Sequence, residues 1–308
     1  MGTYVLLYAF NSVVQVINMD CLELRIPPMP HLMTVGFSKP VKGTVHYERS
    51  FPLYDIILVK KGAFYMTEDH IEYEIPENGM LILEPNRRHW GHQPSPEGTE
   101  VYYLHLMHEP PLRTVAANEV QWTAVSPSPT YRDLEPGIQM MYLPKFGPIE
   151  TGELFPLLDQ MLMLKNRFSL ENQLPLQALL GQFFVALQKS LRTQTISRSQ
   201  KLSEQIINYL YMTSDRPFRL DDLSGHFNFH IDYLSKCLKK HTGLTPLQYA
   251  NRIKIERAKL LLHNTDLPLK EIVTQVGFTD YNYFLRMFRQ HTGISPAKYR
   301  LGYLHSLS

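Results

Sequence analysis

The sequence predicts an α+β chain of two domains: an N-terminal antiparallel β-barrel with flanking helices, then an all-α domain built as a tandem pair. Three observations predict it. Short apolar stretches separated by Gly, Pro and Asn turns crowd residues 40–107. Helical periodicity replaces them beyond about residue 150. The last third of the chain repeats itself with a period of about 50 residues. A length of 308 residues suits two domains of roughly 150 each.

The opening run, MGTYVLLYAFNSVVQVINMD, lacks a basic n-region and is interrupted by Asn11, Ser12, Gln15 and Asn18. It reads as one or two strands, or an N-terminal arm, in preference to a signal peptide. Met19 offers an alternative start. The barrel strands follow as LYDIILVK (53–60), stopped by Lys61-Gly62, then AFYMTE (63–68) and, after an Asp69-His70 turn, IEYEI (71–75). After the turn PENG come MLILEP (80–85) and later EVYYLHLM (100–107). This spacing suits an antiparallel barrel or sandwich. Residues 108–150 are Pro-rich, with short strands expected near Val120–Val125 and Ile138–Leu143.

Leu157, Leu158, Met161, Leu162 and Leu164 then form an apolar helical run. Leu176, Leu179, Leu180, Phe183, Phe184, Leu187 and Leu191 follow i, i+3, i+4, i+7 spacing. Two helices packed on the barrel are expected, and their outer face could also pair two protomers into a homodimer. RTQTISRSQ (192–200) is polar and lacks a hydrophobic pattern, so it reads as a linker. The expected divisions are 1–191, 192–200 and 201–308.

Composition narrows the function classes. The chain is 44% hydrophobic and 19% charged, which is globular. Its two cysteines, Cys21 and Cys237, stand far apart, which argues against a disulfide framework and fits a reducing cytoplasmic compartment. No stretch of 18 apolar residues predicts a membrane span. The net charge of +2 is unevenly divided. From residue 200 onward there are 15 Lys+Arg and 9 Asp+Glu, a net +6; the preceding 16 and 20 give −4. A basic C-terminal third suggests a polyanion-binding module, although a charge of this size also occurs by chance.

The repeat is dense. His241-Thr-Gly243-Leu-Thr245-Pro246-x-x-Tyr249 recurs as His291-Thr-Gly293-Ile-Ser295-Pro296-x-x-Tyr299, and Tyr233-Leu234 and Leu238-Lys239 match Tyr283-Phe284 and Phe288-Arg289. Each copy has one physical grammar. A short helix (Leu220–Ser224, Leu269–Val273) leads to a tight turn at Asn228 or Gly277, residue types that tolerate φ > 0. A second helix follows, about 231–241 and 280–290. Gly243 and Gly293 occupy the C′ position. Thr245-Pro246 and Ser295-Pro296 each supply an N-cap and a proline at N1. Helix, turn, helix is the arrangement that lays its second helix in the DNA major groove. The two units span about 219–241 and 268–291. An uninterrupted amphipathic helix, Thr245–Asn264, joins them, turning Ile253, Ile255, Ala258, Leu261 and Leu262 toward the units. Readers held about 34 Å apart would reach successive major grooves.

Residues 200–303 resemble the DNA-binding region of the AraC/XylS family of transcription regulators. The resemblance rests on the paired units, the joining helix and the string VGFTDYNYFLRMFRQHTGISPAKYR (276–300). Departures from the family pattern are Ser224, His230, Val273 and Lys254. The resemblance implies a sequence-specific regulator with double-stranded DNA and RNA polymerase as partners, and leaves activation or repression open.

Helix position nominates the contacts. In the first recognition helix Tyr233, Leu234, Cys237 and Leu238 form the buried stripe, leaving Ile231, Asp232, Ser235 and Lys236 to meet bases. In the second, Tyr283, Phe284, Met287 and Phe288 are inward, leaving Tyr281, Asn282, Leu285 and Arg286. Arg286 suits guanine O6/N7 and Asn282 suits adenine. Lys236 offers only a point charge. Lys239, Lys240, Arg289 and Lys298 suit phosphates. For any single surface cation the plain alternative is a solvated charge.

The N-terminal half resembles, more loosely, the cupin-like effector domain that often precedes this region. The carrying residues are His46-x-x-Arg49-x-Phe51, YDIILVKKG (54–62) and Gly79-x5-Pro85-x3-His89. Cupin enzymes need two close histidines, a carboxylate and a later histidine. Asp55 fills the carboxylate slot, but Glu48-Arg49-Ser50-Phe51 stands where His-x-His is expected, so no metal and no cofactor are expected. Nor does any nucleophile motif predict an enzyme. A barrel mouth can instead hold a small-molecule effector, a sugar being one candidate. The resemblance nominates Arg49, His89, Trp90, Tyr103 and His105, each of which could equally pack in the core. Three readings follow: an effector-responsive regulator, a cupin-type enzyme with a DNA-binding appendage, and an architectural DNA binder with an inert barrel. Missing metal ligands disfavour the second, and the first is favoured.

Overall fold

The computed structural model describes residues 19–120, 122–123, 139–167 and 169–304. The opening run lies outside the described residues, as do Gln121, Ala124 and Val125 of the strand expected near Val120–Val125, whose described members Val120, Trp122 and Thr123 are not in a strand. The chain divides into two compact units, Met1–Val120 with Ile138–Thr195, and Gln121–Gly137 with Ile196–Ser308.

The first unit carries β1 (Asp20–Ile26), β2 (His31–Ser38), β3 (Tyr54–Lys61), β4 (Ala63–Glu68), β5 (Ile71–Pro76) and β6 (Gly79–Leu83). β7 (His89–Trp90), β8 (Glu100–Met107), β9 (Arg113–Ala116), β10 (Gln139–Pro144) and β11 (Phe146–Pro148) follow. The helices α1 (Thr151–Lys165) and α2 (Gln173–Thr195) close the unit. Strand order is β11-β6-β3-β8-β2 in a five-stranded sheet, β10-β1-β9 in a second and β5-β4-β7 in a third, all antiparallel.

β3 lies at the centre of the five-stranded sheet and is buried on both faces, which explains its nearly unbroken apolar run. Its alternate side chains serve two cores. Tyr54, Ile56 and Leu58 face a core shared with Leu154 and Leu158 of α1 and Phe183 and Leu187 of α2. Ile57 and Val59 face Met66 of β4 and Ile75 of β5. Tyr102 of β8 fastens the helical layer, its hydroxyl donating to Asp159 Oδ1 at 2.6 Å. Where β4, β6 and the β10–β11 turn meet, buried Lys145 reaches Glu68 Oε2 at 2.5 Å and Glu84 Oε1 at 3.0 Å. The Glu84 amide donates to the other Glu68 oxygen. Paired and hydrogen-bonded in this way, interior charges are tolerated.

Of the expected antiparallel barrel the structure gives the antiparallel strands and the flanking helices; the described strands form three sheets, none closed on itself. At Gly62, φ +80°, the chain leaves the sheet of β3 and enters that of β4. A Cβ there would fall 2.5 Å from Thr99 Oγ1, so a glycine is required. Regular strand spacing is common to barrels and packed sheets and does not separate them.

The second unit contains α3 (Arg198–Met212), α4 (Leu220–Phe227), α5 (Ile231–Thr242), α6 (Pro246–Asn264), α7 (Leu269–Gln275), α8 (Tyr281–Thr292) and α9 (Pro296–Leu304). The segment expected as a linker, 192–200, is helical except for Ile196 and Ser197. Ser197 caps α3, its Oγ accepting from the Gln200 amide. Two cores are strung on α6. Tyr249, Ala250 and Ile253 join Leu202, Ile206 and Leu210 of α3 with Leu223, Leu234 and Leu238. Ile255, Ala258 and Leu262 join Ile272, Val276, Phe284 and Phe288. Phe284 and Phe288 are fully buried, each worth roughly 1.5–3 kcal/mol. Among the described residues no helix is long and apolar enough to cross a membrane.

Candidate functional site

In the second unit, the two helix pairs are shaped locally as their residues dictate. Asp221 and Asp222 sit in the first turn of α4, where carboxylates complement the helix dipole. Asn228, φ 54°, ends α4, and His230 caps α5 through a long 3.4 Å bond from the Asp232 amide to Nδ1. Gly243, φ 76°, ends α5. Thr245 and Gln248 then form a reciprocal capping box that starts α6. In the second pair the turn carries Gly277, φ 75°. Asp280 caps α8 by accepting from the Tyr283 amide at 2.8 Å. Gly293, φ 79°, ends α8. The spacing from the start of α7 to that of α8 is one residue longer than that from α4 to α5.

α5 buries Leu234, Cys237, Leu238 and His241. Asp232, Lys236, Lys239 and Lys240 are exposed, while Ile231 and Ser235 are half-buried. Tyr233 is a correction: expected in the buried stripe, it is 45% exposed and packs in a tilted arrangement against exposed Phe229, ring centroids 5.3 Å apart. α8 buries Phe284 and Phe288 and exposes Asn282, Arg286 and Arg289. Tyr281 and Leu285, expected outward, are half-buried and pack partly on the second core. Arg286 lies over the Tyr283 ring at 5.2 Å, which restrains an otherwise free guanidinium. Lys298 is exposed on α9.

The first unit holds a cavity of about 220 Å³. It opens on the face of β3 and β8 that carries Asp55, Ile57, Tyr103 and His105, strand neighbours in register (Asp55 with His105, Ile57 with Tyr103). Gly36 on β2 stands opposite Tyr103, and a Cβ there would overlap the ring at 2.0 Å, so the glycine lets the ring lie over β2. Arg49, His46 and Phe64 complete the polar side and one wall.

Each nitrogen of the Arg49 guanidinium makes a hydrogen bond. Its Nη2 donates to Asp55 Oδ2 at 2.7 Å, its Nε to His89 Nε2 at 3.0 Å and its Nη1 to the Tyr47 hydroxyl at 3.2 Å. Its guanidinium also lies 4.5 Å from the Phe51 ring centroid. His89 is buried and sits behind Arg49, with Nδ1 3.2 Å from Arg87 O. Burial holds the His89 imidazole below its ordinary pKa against the opposing bond to Arg87 O. Burial, then the Arg49 charge, does the same to His46. Both rings are thereby biased toward the uncharged form, and the Arg49 and Asp55 charges face each other as a pair. Asp55 Oδ1 is buried with no hydrogen-bond partner. His105 Nε2 stands 3.5 Å from Asp55 Oδ2, beyond ordinary hydrogen-bond distance, and has no hydrogen-bond partner.

Of the five nominated effector contacts, Arg49, Tyr103 and His105 line this cavity; His89 supports Arg49 from behind, and Trp90 is not among its walls. Trp90 follows His89 on β7 and so points to the opposite face, where the Arg88 guanidinium lies 5.6 Å from its ring. Asp55 carries the unpaired atom, and His46 and Phe64 were not nominated. The readable signal was a carboxylate within an apolar run buried on both faces.

Residues 223–302 match a family model described as a helix-turn-helix domain. The chain is 30% identical over 286 residues to an uncharacterized HTH-type transcriptional regulator, YisR, of Bacillus subtilis (strain 168), covering 92% of this chain and 97% of that protein. It is 36% identical over 115 residues to an uncharacterized HTH-type transcriptional regulator, YijO, of Escherichia coli (strain K12), 37% of this chain and 41% of that one. Among solved structures, the C-terminal domain of the two-component response regulator yesN of Fusobacterium nucleatum is 38% identical, covering 34% of this chain and 99% of that chain, with a TM-score of 0.30.

Proposed function

The chain belongs to the AraC-type helix-turn-helix transcription regulators, DNA-binding proteins and not enzymes, and on that premise we propose that it reads specific DNA with α5 and α8 and answers to a small molecule held beside Asp55. The observation that carries the reading is the matched exposure of the two helices. Each buries an apolar stripe in its own core and leaves cations on the opposite face, Lys236 and Lys239 on α5, Arg286 and Arg289 on α8. Asp232, Ser235, Lys236, Asn282 and Arg286 then meet base edges in successive major grooves. Ile231, Tyr281 and Leu285 contribute through their exposed edges. Lys239, Lys240, Arg289 and Lys298 neutralise phosphates.

The effector is a small neutral molecule that carries hydrogen-bond donors. Arg49 is already committed to Asp55, so a carboxylate gains little from it and would crowd a second anion against Asp55. A hydroxyl donates to Asp55 Oδ1 and exchanges a bond with His105 Nε2, which favours a polyol or sugar. The groove between α1 and α2, lined by Pro156, Leu157, Ala178, Gly181 and Val185, supports pairing of two copies into a homodimer. The regulator acts in the cytoplasm with RNA polymerase as its partner.

The test is fluorescence anisotropy on the protein's own upstream intergenic DNA against scrambled DNA over a salt series. Specific binding about a thousandfold tighter than scrambled is expected; sequence-blind binding at every salt concentration contradicts it. Sugars and small acids added to the same assay then score the effector, and a response to acids alone contradicts the neutral ligand.

A further inference from the structure

We propose that Lys254 is a positioning residue that sets the spacing between the two DNA-reading units. The proposal rests on α5 and α8 being the readers. α6 passes from one core to the other at this residue: Ile253 belongs to the first core, Ile255 to the second. Lys254 is only 3% exposed. Its Nζ donates to Arg216 O, on the segment before α4, and to Gly277 O, in the turn before α8, each at 2.6 Å. The ammonium also lies 5.5 Å from the Phe278 ring centroid. One side chain therefore bonds, at once, the backbone that leads into the first helix pair and the turn inside the second.

The surrounding contacts converge on the same junction. A Cβ on Gly277 would lie 2.7 Å from Arg216 O and 2.9 Å from Asp215 C, so the two backbones touch. Asn251, one turn before Lys254, reaches forward to the second pair, its Nδ2 bonding the Tyr283 hydroxyl at 2.6 Å. Arg257, one turn after, reaches back to the first, its Nη1 bonding Ser214 Oγ at 2.7 Å. These ties cross at Lys254. Burial pushes the Lys254 ammonium down to about 8, with Arg257 adding to the effect. An ammonium is costly to bury, and a core position of this shape accepts methionine or leucine without that cost. What an apolar side chain cannot supply is two donors for two carbonyls on different units. The recognition helices are then presented as one rigid ruler, and DNA half-sites at the wrong separation engage one helix only.

The test uses the full chain. A duplex carrying the two half-sites that the wild-type protein selects from a random library is compared with one in which about 5 bp, half a helical turn, separates them further, and with a single half-site. Wild type should lose on the order of 100-fold on the lengthened duplex, the weight of several base contacts. Lys254→Met should bind the intact duplex about tenfold more weakly while matching wild type within about twofold on the lengthened duplex and the single half-site, where pre-set spacing has no value. Lys254→Arg, which restores the donors, should recover most of the loss. An unchanged insertion penalty in Lys254→Met overturns the proposal, as does an equal loss on all three duplexes. If Lys254→Met does not fold by circular dichroism, Lys254→Gln is scored in the same way; failure of both to fold leaves Lys254 a folding residue and overturns the proposal. A wild-type chain that selects no half-sites sinks the DNA reading itself, which separates that failure from this one.

Discussion

Arg49 Nη2 and Asp55 Oδ2 lie 2.7 Å apart in the cavity wall, and the second Asp55 oxygen has no hydrogen-bond partner. The charges of the pair are matched, while one buried acceptor is left without a donor. Asp55→Ala should lower stability by about 2–3 kcal/mol, less than the roughly 3–5 for a wholly buried pair, because Arg49 keeps some access to water. Urea unfolding measures this. A loss below about 0.5 kcal/mol would mean that the ion pair contributes no more than an exposed one.

Acid should weaken the protein before the carboxylates titrate. The folded pKa values of His46, His89 and His241 are lowered, chiefly by burial, so the folded chain binds fewer protons than the unfolded one. Their contribution is complete above the ordinary imidazole value of about 6.5 and is lost as pH falls below it. Urea midpoints between about pH 5 and 7.5 should rise with pH, and the combined His46→Gln and His89→Gln substitutions should flatten that slope. An unflattened slope would assign the effect elsewhere.

Two glycines with nearly the same φ should respond differently. A Cβ on Gly243 (φ +76°) would have nothing within 4 Å, whereas a Cβ on Gly277 (φ +75°) meets backbone at 2.7 Å. Gly243→Ala should cost about 1–2 kcal/mol, the left-handed backbone term alone. Gly277→Ala should cost at least about 1 kcal/mol more, from overpacking against Arg216. Equal costs in thermal or urea unfolding would contradict the close approach.

The proposed DNA contacts divide by kind. Arg286→Ala should lose about 1–3 kcal/mol on the selected site and relax preference at one base pair. Equal loss on every sequence would remove it from base reading. Lys239→Ala should lower the magnitude of the salt slope by about one unit with preference intact. An unchanged slope would take it off the phosphate surface.

The helix pairs were legible because their geometry is local. Asn228, Gly243, Gly277 and Gly293 have positive φ and Thr245 caps its helix, each fixed by a few neighbouring residues. The cavity was only partly legible. Asp55 meets His105 through strand register and meets Arg49 through the bridge that ties Arg49 to His89, and such long-range pairings leave no periodic trace. Trp90, which the resemblance nominates by its place after Pro85, lies off the cavity wall because alternation along β7 decides its face. Tyr233 and Tyr283 are equivalent in the repeat yet differ in environment, since Asn251 reaches only the second. The polar run at 192–200 stays largely helical because Ser197 can restart a helix directly after α2 ends.

The division of α6 between two cores has an evolutionary consequence. Substitutions around Ile253 are felt in the core beneath α5 and those around Ile255 in the core beneath α8, so each copy of the duplicated unit can drift without unfolding its twin. If α5 and α8 are the readers proposed above, a lineage of such proteins can rewrite either half of its binding site separately, provided that the junction between the halves is inherited intact.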